Sequence, residues 1–197
     1  MIALLGLAGS GKGTQGRALA ELFGWRWLSV GEALRRTGDY DDITKRGDLV
    51  PDSEVVKIMG RQIEKAEAEG FDVILDGFPR DGEQAKWLLD TMPKKLNAVI
   101  ILEVPKEELF KRLALRGRND DKERETIERR FEVFEQNIYS ILPLLNNANI
   151  PVERVDGTGA IEDVTTRLVS VVKKFSQNAV EQINDVNGEE IERSYGE

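Results

Sequence analysis

The sequence predicts an α/β fold in which a five-stranded parallel sheet lies between two layers of helices. Short apolar stretches alternate with longer amphipathic ones along most of the 197 residues, which is the pattern of strands joined by crossover helices. The run Ala98-Val99-Ile100-Ile101-Leu102 is continuously apolar, as expected of a strand buried on both faces. A glycine-rich segment directly follows the first apolar run, residues 2–5, where a strand would turn into a helix.

Each predicted element has its own signal in the sequence. Strands are expected where apolar residues concentrate, at residues 2–6, 27–29, 72–76, 98–104 and 152–156. Helices are expected between them, at residues 12–23, 52–69, 81–92, 106–116, 126–146 and 161–175. Asp52 or Ser53 should cap the second helix and Gly70 should end it, while Pro93 should end the third. Pro143 should kink the long fifth helix.

Composition excludes several kinds of chemistry. The chain has no cysteine and no histidine, which removes disulfides, thiol catalysis and the commonest general base. Its net charge of −8 argues against nucleic-acid binding. No apolar run approaches the roughly 20 residues needed to cross a bilayer. We therefore expect a cytoplasmic protein without nucleic-acid or membrane partners, whose chemistry depends on lysine, arginine, carboxylates and an added metal ion.

The composition changes near the C-terminus. We expect one folded domain at residues 1–175, followed by a tail at residues 176–197 that is polar and rich in acidic residues. Such a segment has too few apolar side chains to form a core. The tail is expected to be flexible, with a role as an interaction segment as the alternative.

Residues 6–14, GLAGSGKGT, fit the phosphate-loop pattern G-x-x-x-x-G-K. Glycines allow a tight turn that brings backbone amides close to phosphate oxygens. Lys12 adds a positive charge, and the following helix adds the positive end of its dipole. The pattern predicts a site for a nucleotide phosphate without identifying the nucleotide.

The segment Asp76-Gly77-Phe78-Pro79-Arg80 follows a predicted buried strand. In open parallel sheets, ligands bind at the carboxyl ends of the strands. Asp76 is suited to hold Mg²⁺ through water unless it serves as a turn cap. Arg80 can bind a phosphate through two parallel hydrogen bonds.

Arginines are concentrated in two further places. Arg35 lies one turn into a predicted helix that follows the second strand. Near Asp120-Asp121 lie Arg112, Arg116, Arg118 and Arg130. Glutamates at helical spacing could make these ordinary surface charges. The alternative is a phosphate clamp, because phosphoryl transfer needs positive charge around the transferred group. The later segment VDGTG, residues 155–159, is either a plain turn or the edge of a base pocket.

Taken in order, these motifs resemble those of the adenylate kinase family of nucleoside monophosphate kinases, over about residues 1–175. The matching strings are GLAGSGKGTQ, SVGEALR, GDLVPD, DGFPRDGEQA, the arginine segment at 116–130 and VDGT. The resemblance implies a P-loop NTPase three-layer sandwich with an NMP-binding segment at residues 29–50 and a short lid at 116–124. It also implies a monomer that transfers the γ-phosphoryl group of Mg-ATP to AMP, giving two ADP.

The resemblance implies a role for each matching residue. The ATP-binding residues would be Gly9, Ser10, Gly11, Lys12, Gly13, Thr14, Arg112 and Gly157. The NMP-binding residues would be Val30, Arg35, Leu49, Val50, Gly77, Arg80 and Gln84, the last reading the base. Catalysis would depend on Lys12, Arg80, Arg116, Arg118 and Arg130. Mg²⁺ would be held through water by Asp76, with Glu32 as a second candidate. No general base is required, because a phosphate acceptor is already an anionic nucleophile.

The sequence also departs from the family pattern. Val30 replaces a usual threonine that helps recognise adenine, Glu32 a usual aspartate, and Ala8 a common proline. The acceptor segment after Arg35 is several residues shorter than usual, and the lid has no cysteines for zinc. Gln84 favours AMP as acceptor, and UMP or CMP remains the alternative. A nucleotide-binding regulatory protein with little turnover is the alternative from a different class, although the intact lysine and arginine set favours the kinase.

Overall fold

The computed structural model describes residues 1–46, 48–92, 96–117, 121 and 123–176. Its strands are β1 (Ile2–Leu5), β2 (Arg26–Ser29), β3 (Val73–Asp76), β4 (Ala98–Glu103) and β5 (Val152–Asp156). Its helices are α1 (Lys12–Leu22), α2 (Val30–Thr37), α3 (Asp41–Lys45), α4 (Asp52–Ala68), α5 (Gly82–Thr91), α6 (Lys106–Arg116), α7 (Arg124–Asn147) and α8 (Ile161–Phe175). Strands and helices alternate along the chain, as the sequence predicts.

The five strands form one sheet in the order β2-β3-β1-β4-β5, and every neighbouring pair is parallel. Strand β1 lies at the centre, where Ile2 is aligned with Ile74 of β3 and with Ala98 of β4. The predicted five-stranded parallel sheet is confirmed. Because parallel strands all end at the same edge, the loops after β1, β2, β3 and β5 lie close together.

Two apolar layers, one on each face of the sheet, form most of the core, and a smaller cluster joins α6 to α7. Successive residues of β1 enter them alternately: Ala3 and Leu5 belong to one layer, Ile2 and Leu4 to the other. The first layer is completed by helices α4, α5 and α7, and the second by α1 and α8. This explains why the strands read as continuous apolar runs rather than alternating ones.

One capping prediction is wrong. Neither Asp52 nor Ser53 caps α4; the residue before the helix is Pro51, and no side chain makes a capping hydrogen bond there. The Asp52 carboxylate instead accepts a hydrogen bond from the amide of Gln84, 32 residues away. The carboxylate that the local pattern assigned to the helix end thus binds a residue distant in the sequence.

Other boundaries agree with the predicted ones. Gly70 follows α4 with a φ of 80°, the left-handed conformation that ends helices. Helix α7 continues through Pro143 to Asn147. Pro93 and the tail at 177–197 lie outside the described residues. Within the part of the chain that the structure describes, no helix is long and apolar enough to cross a membrane.

Candidate functional site

A cleft of about 1010 Å³ opens at the carboxyl ends of the strands. Most of the residues singled out from the sequence line it: Gly9, Ser10, Gly11, Lys12, Gly13, Thr14, Arg35, Leu49, Asp76, Gly77, Arg80, Arg112, Arg116, Arg130 and Gly157. These residues come from segments spread over almost 150 positions of sequence, and the parallel sheet brings them together.

The phosphate loop joins β1 to α1. Gly6, Gly9 and Gly11 all have positive φ values, and a Cβ at Gly6 would lie 2.6 Å from the carbonyl oxygen of Leu102. The first position of the pattern therefore requires glycine both for its conformation and for the space beside strand β4. Helix α1 begins directly after the loop, with its free amide groups at the floor of the cleft.

The side chain of Lys12 folds back over this loop. Its Nζ donates hydrogen bonds to the carbonyl oxygens of Gly6, at 2.7 Å, and Leu7, at 2.9 Å. Burial lowers the pKa of Lys12 to about 8, because a charged amine loses solvation inside the protein. The carboxylate of Asp76 raises this pKa, while nearby arginines lower it further. The amine is thus held against the backbone of the loop.

Asp76 is the last residue of strand β3, next to the phosphate loop, and is only 7% exposed. A Cβ at Gly13 would lie 3.4 Å from Asp76 Oδ2 and 3.7 Å from the ring of Trp27. The carboxylate therefore lies beside the position after Lys12, where a serine or threonine stands in the general phosphate-loop pattern. Among the described residues, no group of three or more acidic side chains converges to bind a metal directly.

Trp27 of strand β2 forms part of the cleft wall. A Cβ at Gly16 would lie 2.6 Å from the indole Cδ1, so the ring packs directly on the backbone of helix α1. The guanidinium of Arg17 covers the ring at 4.2 Å from its centroid, a cation–π contact. The resemblance gave no role to Trp27. A large aromatic residue next to the polar end of a strand could nevertheless have indicated that it lines the site.

Two arginines converge on the far side of the cleft. The ideal Cβ position at Gly31 is 3.1 Å from Arg35 Nη1 and 3.6 Å from Arg80 Nη2, so both guanidinium groups lie against this one backbone position. Arg80 Nε donates to the carbonyl oxygen of Gly77 at 3.0 Å. Burial lowers the pKa of Arg80 to about 10, and the neighbouring charge of Arg130 adds to this shift. Two positive groups in one place are suited to a phosphate.

A buried carboxylate joins two further arginines. Asp121, whose side chain is 1% exposed, accepts hydrogen bonds of 2.6 Å from both Nε and Nη2 of Arg116. Arg130 Nη1 donates to the same carboxylate at 2.8 Å. Arg116 ends helix α6 and Arg130 lies in α7, so Asp121 fixes the two helices' arginines side by side at the cleft. The sequence places Asp121 among these arginines but does not show that it bridges them.

The loop between β5 and α8 forms the remaining edge. Arg112 Nη1 donates to the carbonyl oxygen of Gly157 at 3.0 Å. The backbone amide of Gly157 donates to the backbone carbonyl oxygen of Glu103 at 2.8 Å. Gly157 is close to the phosphate loop, since a Cβ there would lie 3.3 Å from the carbonyl oxygen of Ser10. The predicted base-pocket segment therefore lies against the phosphate loop.

Comparison with known proteins agrees with this architecture. Residues 4–150 match the family model described as adenylate kinase. The chain belongs to the adenylate kinase family. It is 38% identical over 186 residues to the adenylate kinase of Micrococcus luteus, an alignment that covers 86% of this chain and 88% of the relative. It is 35% identical to the adenylate kinases of Thermus thermophilus, covering 85% and 94%, and of a Synechococcus species, covering 83% and 93%.

Family membership confirms the resemblance and the P-loop α/β fold. Among the described residues, however, four that the family pattern singles out do not line the cleft: Val30, Glu32, Val50 and Gln84. Val30 and Val50 are 1% and 2% exposed and belong to the apolar layer beneath it. Both carboxylate oxygens of Glu32 are paired, with Arg17 at 2.9 Å and with Arg36 at 3.1 Å. These ion pairs occupy both oxygens of the Glu32 carboxylate. Arg118 lies outside the described residues.

The fourth residue is Gln84, the expected reader of the acceptor base in this adenylate kinase family member. Its side chain is fully buried, and its Nε2 donates to Asp52 at 2.8 Å and to Asp81 at 3.1 Å. Its Oε1 accepts a hydrogen bond of 2.9 Å from the backbone amide of Arg80. All these partners belong to the protein, so in this structure the Gln84 amide faces the interior and not the cleft.

Asp81 is the second carboxylate at this amide. Burial raises the pKa of Asp81 to about 6, and a hydrogen bond with the Asp52 carboxyl raises it further, while hydrogen bonds from backbone amides oppose the shift. Two carboxyl groups that face one another disfavour double ionisation.

Proposed function

We propose that the protein transfers the γ-phosphoryl group of Mg-ATP to the α-phosphate of AMP, giving two molecules of ADP. The observation that carries the proposal is the arrangement of charge around one cleft. The phosphate loop with Lys12 lies at its centre, Arg35 and Arg80 lie on one side, and Arg116 and Arg130 lie on another. Membership of the adenylate kinase family favours AMP over other acceptors.

The division of the cleft supports a specific role for each group. The loop amides and Lys12 would hold the β- and γ-phosphates of ATP, while Arg112 and the loop at Gly157 would lie towards its base. Arg35 and Arg80 would bind the phosphate of AMP. Arg116 and Arg130 would contact the transferred group, where negative charge is spread over three oxygens. We assign Arg118 to the same group on the family pattern.

In the reaction, an oxygen of the AMP phosphate forms a bond to the γ-phosphorus. The bond from that phosphorus to the β,γ-bridging oxygen breaks, and the departing ADP keeps the electron pair. The acceptor oxygen is already anionic, so no residue has to remove a proton from it. This agrees with a chain that has no histidine. The protein therefore acts by orienting the two nucleotides and by placing positive charge.

Asp76 is the residue best placed to hold Mg²⁺. Its carboxylate is buried beside Lys12 and Gly13, and an oxygen donor that leaves room for water suits this ion. Bound Mg²⁺ would supply positive charge to the phosphate oxygens of ATP. Glu32 is less suited, because Arg17 and Arg36 already neutralise it.

Binding also has to exclude water, which would otherwise accept the phosphoryl group. We propose that residues 29–50 form the segment that closes over AMP and residues 116–124 a short lid over ATP. The release of Gln84 from Asp52 and Asp81 would accompany the first of these movements. Both nucleotides are abundant in the cytoplasm, where we expect the protein to act as a monomer.

The decisive experiment is turnover of the full chain with Mg-ATP and, separately, AMP, CMP, UMP and GMP, with products separated by chromatography. We expect ADP from AMP at a rate well above that of any other diphosphate. The variant Lys12→Met, purified identically, controls for contaminating kinases and should be inactive. A preference for CMP or UMP would overturn the choice of acceptor. Absence of any product would favour a regulatory nucleotide-binding protein.

The variant Arg80→Ala tests the acceptor site separately. Turnover should collapse while binding of Mg-ATP, measured by calorimetry, is retained, because Arg80 lies on the side of the cleft away from the base-pocket loop. Unchanged turnover would show that Arg80 does not bind the acceptor phosphate.

A further inference from the structure

Helix α1 and helix α8 are joined by a buried polar contact. Gln15 lies in the first turn of α1, is 3% exposed, and lines the cleft next to the phosphate loop. Its Nε2 donates to the carbonyl oxygen of Ile161, the first residue of α8, at 3.0 Å. Thr165 Oγ1 lies 2.8 Å from both Gln15 Oε1 and the Ile161 oxygen. The amide of Gln15 thus has a partner at each end, Ile161 at the start of α8 and Thr165 one turn later.

The position of this amide is unusual for a packing residue. The neighbouring contacts between α1, α8 and the sheet are apolar, with Leu19, Val164 and Leu168 all buried. A buried amide loses its hydration and recovers it only when both ends are paired. Apolar packing alone would hold the two helices together. What the amide adds is direction, because its hydrogen bonds fix where the start of α8 lies relative to the start of α1.

The start of α8 is also the end of the loop at residues 157–160, which forms one edge of the cleft. Other contacts hold the remainder of this loop: Arg112 at Gly157, and Arg167 Nη1 at the carbonyl oxygens of Asp156, at 2.6 Å, and Thr158, at 2.9 Å. Gln15 adds the contact from the helix that begins at the phosphate loop. It therefore couples the position of the loop to the position of the phosphate amides.

We propose that Gln15, with Thr165, is a positioning residue for ATP: it sets the separation between the phosphate loop and the base-side loop at residues 157–160. This rests on the proposed function, which assigns those two edges to the triphosphate and to the base of ATP. AMP binds on the other side of the cleft, at Arg35 and Arg80. The effect of removing the contact is therefore selective for ATP.

The test uses variants that remove the contact with little change in volume. Gln15→Met replaces the amide with an apolar chain of similar length, and Thr165→Val removes the hydroxyl. Thr166→Val is the matched control. The Thr166 hydroxyl donates to the backbone carbonyl oxygen of Glu162 at 2.9 Å, as the Thr165 hydroxyl does to that of Ile161, but Thr166 is exposed. The dissociation constant of Mg-ATP is measured by calorimetry without acceptor, and KM for ATP, KM for AMP and kcat are measured by turnover.

Gln15→Met and Thr165→Val should each weaken ATP binding about three- to tenfold, as expected for loss of one buried hydrogen bond. KM for AMP and kcat should change by less than about twofold, and Thr166→Val should match the parent protein. The double variant should be little weaker than either single one, because both remove the same contact. These results would support the proposal.

Two results would overturn it. If both variants lower Tm but leave the ATP dissociation constant unchanged, Gln15 only stabilises the packing of α1 against α8. If KM for AMP rises as much as KM for ATP, the contact does not act on one side of the cleft. A parent protein that binds ATP but forms no ADP would refute the proposed function instead, while the calorimetric comparison would still decide the role of Gln15.

Discussion

The ATP side and the acceptor side of the cleft are held in place by different kinds of interaction. On the ATP side, the amine of Lys12 binds backbone carbonyls, and Gln15 binds a carbonyl and a hydroxyl of α8. On the proposed acceptor side, Asp52 and Asp81 hold Gln84 through their carboxylates, while Arg80 binds the backbone carbonyl of Gly77. The backbone amides of the phosphate loop are therefore already arranged for phosphates, whereas Gln84 would have to exchange internal contacts for contacts with the proposed acceptor.

The two arrangements differ in how much reorganisation a ligand requires. A site formed from backbone amides costs little reorganisation when a phosphate arrives. A site whose amide is bound to two carboxylates loses those hydrogen bonds before it gains others, which lowers the net affinity. Under the proposed role of Gln84, selectivity for the acceptor would include the free energy of releasing this side chain.

The largest expected effect concerns the arginines that Asp121 bridges. Arg130→Ala should lower kcat by about 10³-fold, because arginines on a transferred phosphoryl group contribute on that scale. The adjacent Arg129 is the matched control: it is 51% exposed and pairs with Asp48 at 3.3 Å. Arg129→Ala should stay within about twofold of the parent. Steady-state kinetics of the two variants decide the matter, and equal losses would show that only the general charge of α7 counts.

A smaller effect is expected when Arg35 of α2 is replaced. Arg35→Ala should lower kcat/KM for AMP by about 10- to 100-fold, the loss typical of a hydrogen bond to a charged group. KM for Mg-ATP should hardly change. Arg36→Ala is the control, since Arg36 is 79% exposed and pairs with Glu32. If both variants affect AMP alike, the two sides of the cleft are not as separate as the geometry indicates.

The smallest effect concerns pH and stability on the acceptor side. The folded protein raises the pKa of Asp81 to about 6, from about 3.9 in an unfolded chain. The folded state therefore binds this proton more tightly, so its contribution to stability is full below about pH 4 and is lost as the pH rises to about 6. In Asp81→Asn, which can still cap α5, the free energy of unfolding should vary less with pH over this range. Denaturant titrations from pH 4 to 7 measure it, and parallel curves for the two proteins would contradict it.

The same difference between the two sides explains how much could be predicted from the sequence. The phosphate loop is a local structure: its glycine conformations and the following helix depend on residues within one short segment. The strand pattern likewise gives the parallel sheet, because burial on both faces leaves continuous apolar runs such as residues 98–102. Family membership then confirmed the fold that these local patterns indicated and the class of enzyme that the resemblance implied.

The contacts of the acceptor side could not be predicted in this way. Whether Gln84 faces the cleft or the interior depends on Asp52, which lies 32 positions earlier and which local rules assign to a helix cap. Glu32 forms an ion pair with Arg17, which lies in another helix. The burial of Gln15 could be predicted from the sequence. It stands four residues before Leu19, on the buried face of an amphipathic helix. Its partner in α8 is 146 positions away and could not be identified from spacing.

The position of Trp27 gives the protein an internal optical probe. Trp25 packs on Phe23 and Trp87 on Phe78, whereas Trp27 stands in the cleft wall under the guanidinium of Arg17. Indole emission shifts in wavelength and intensity when its surroundings become drier or when a charge nearby moves. Nucleotide occupancy and closure can therefore be followed by the fluorescence of the unlabelled chain, with Trp27→Phe identifying which part of the signal comes from the cleft.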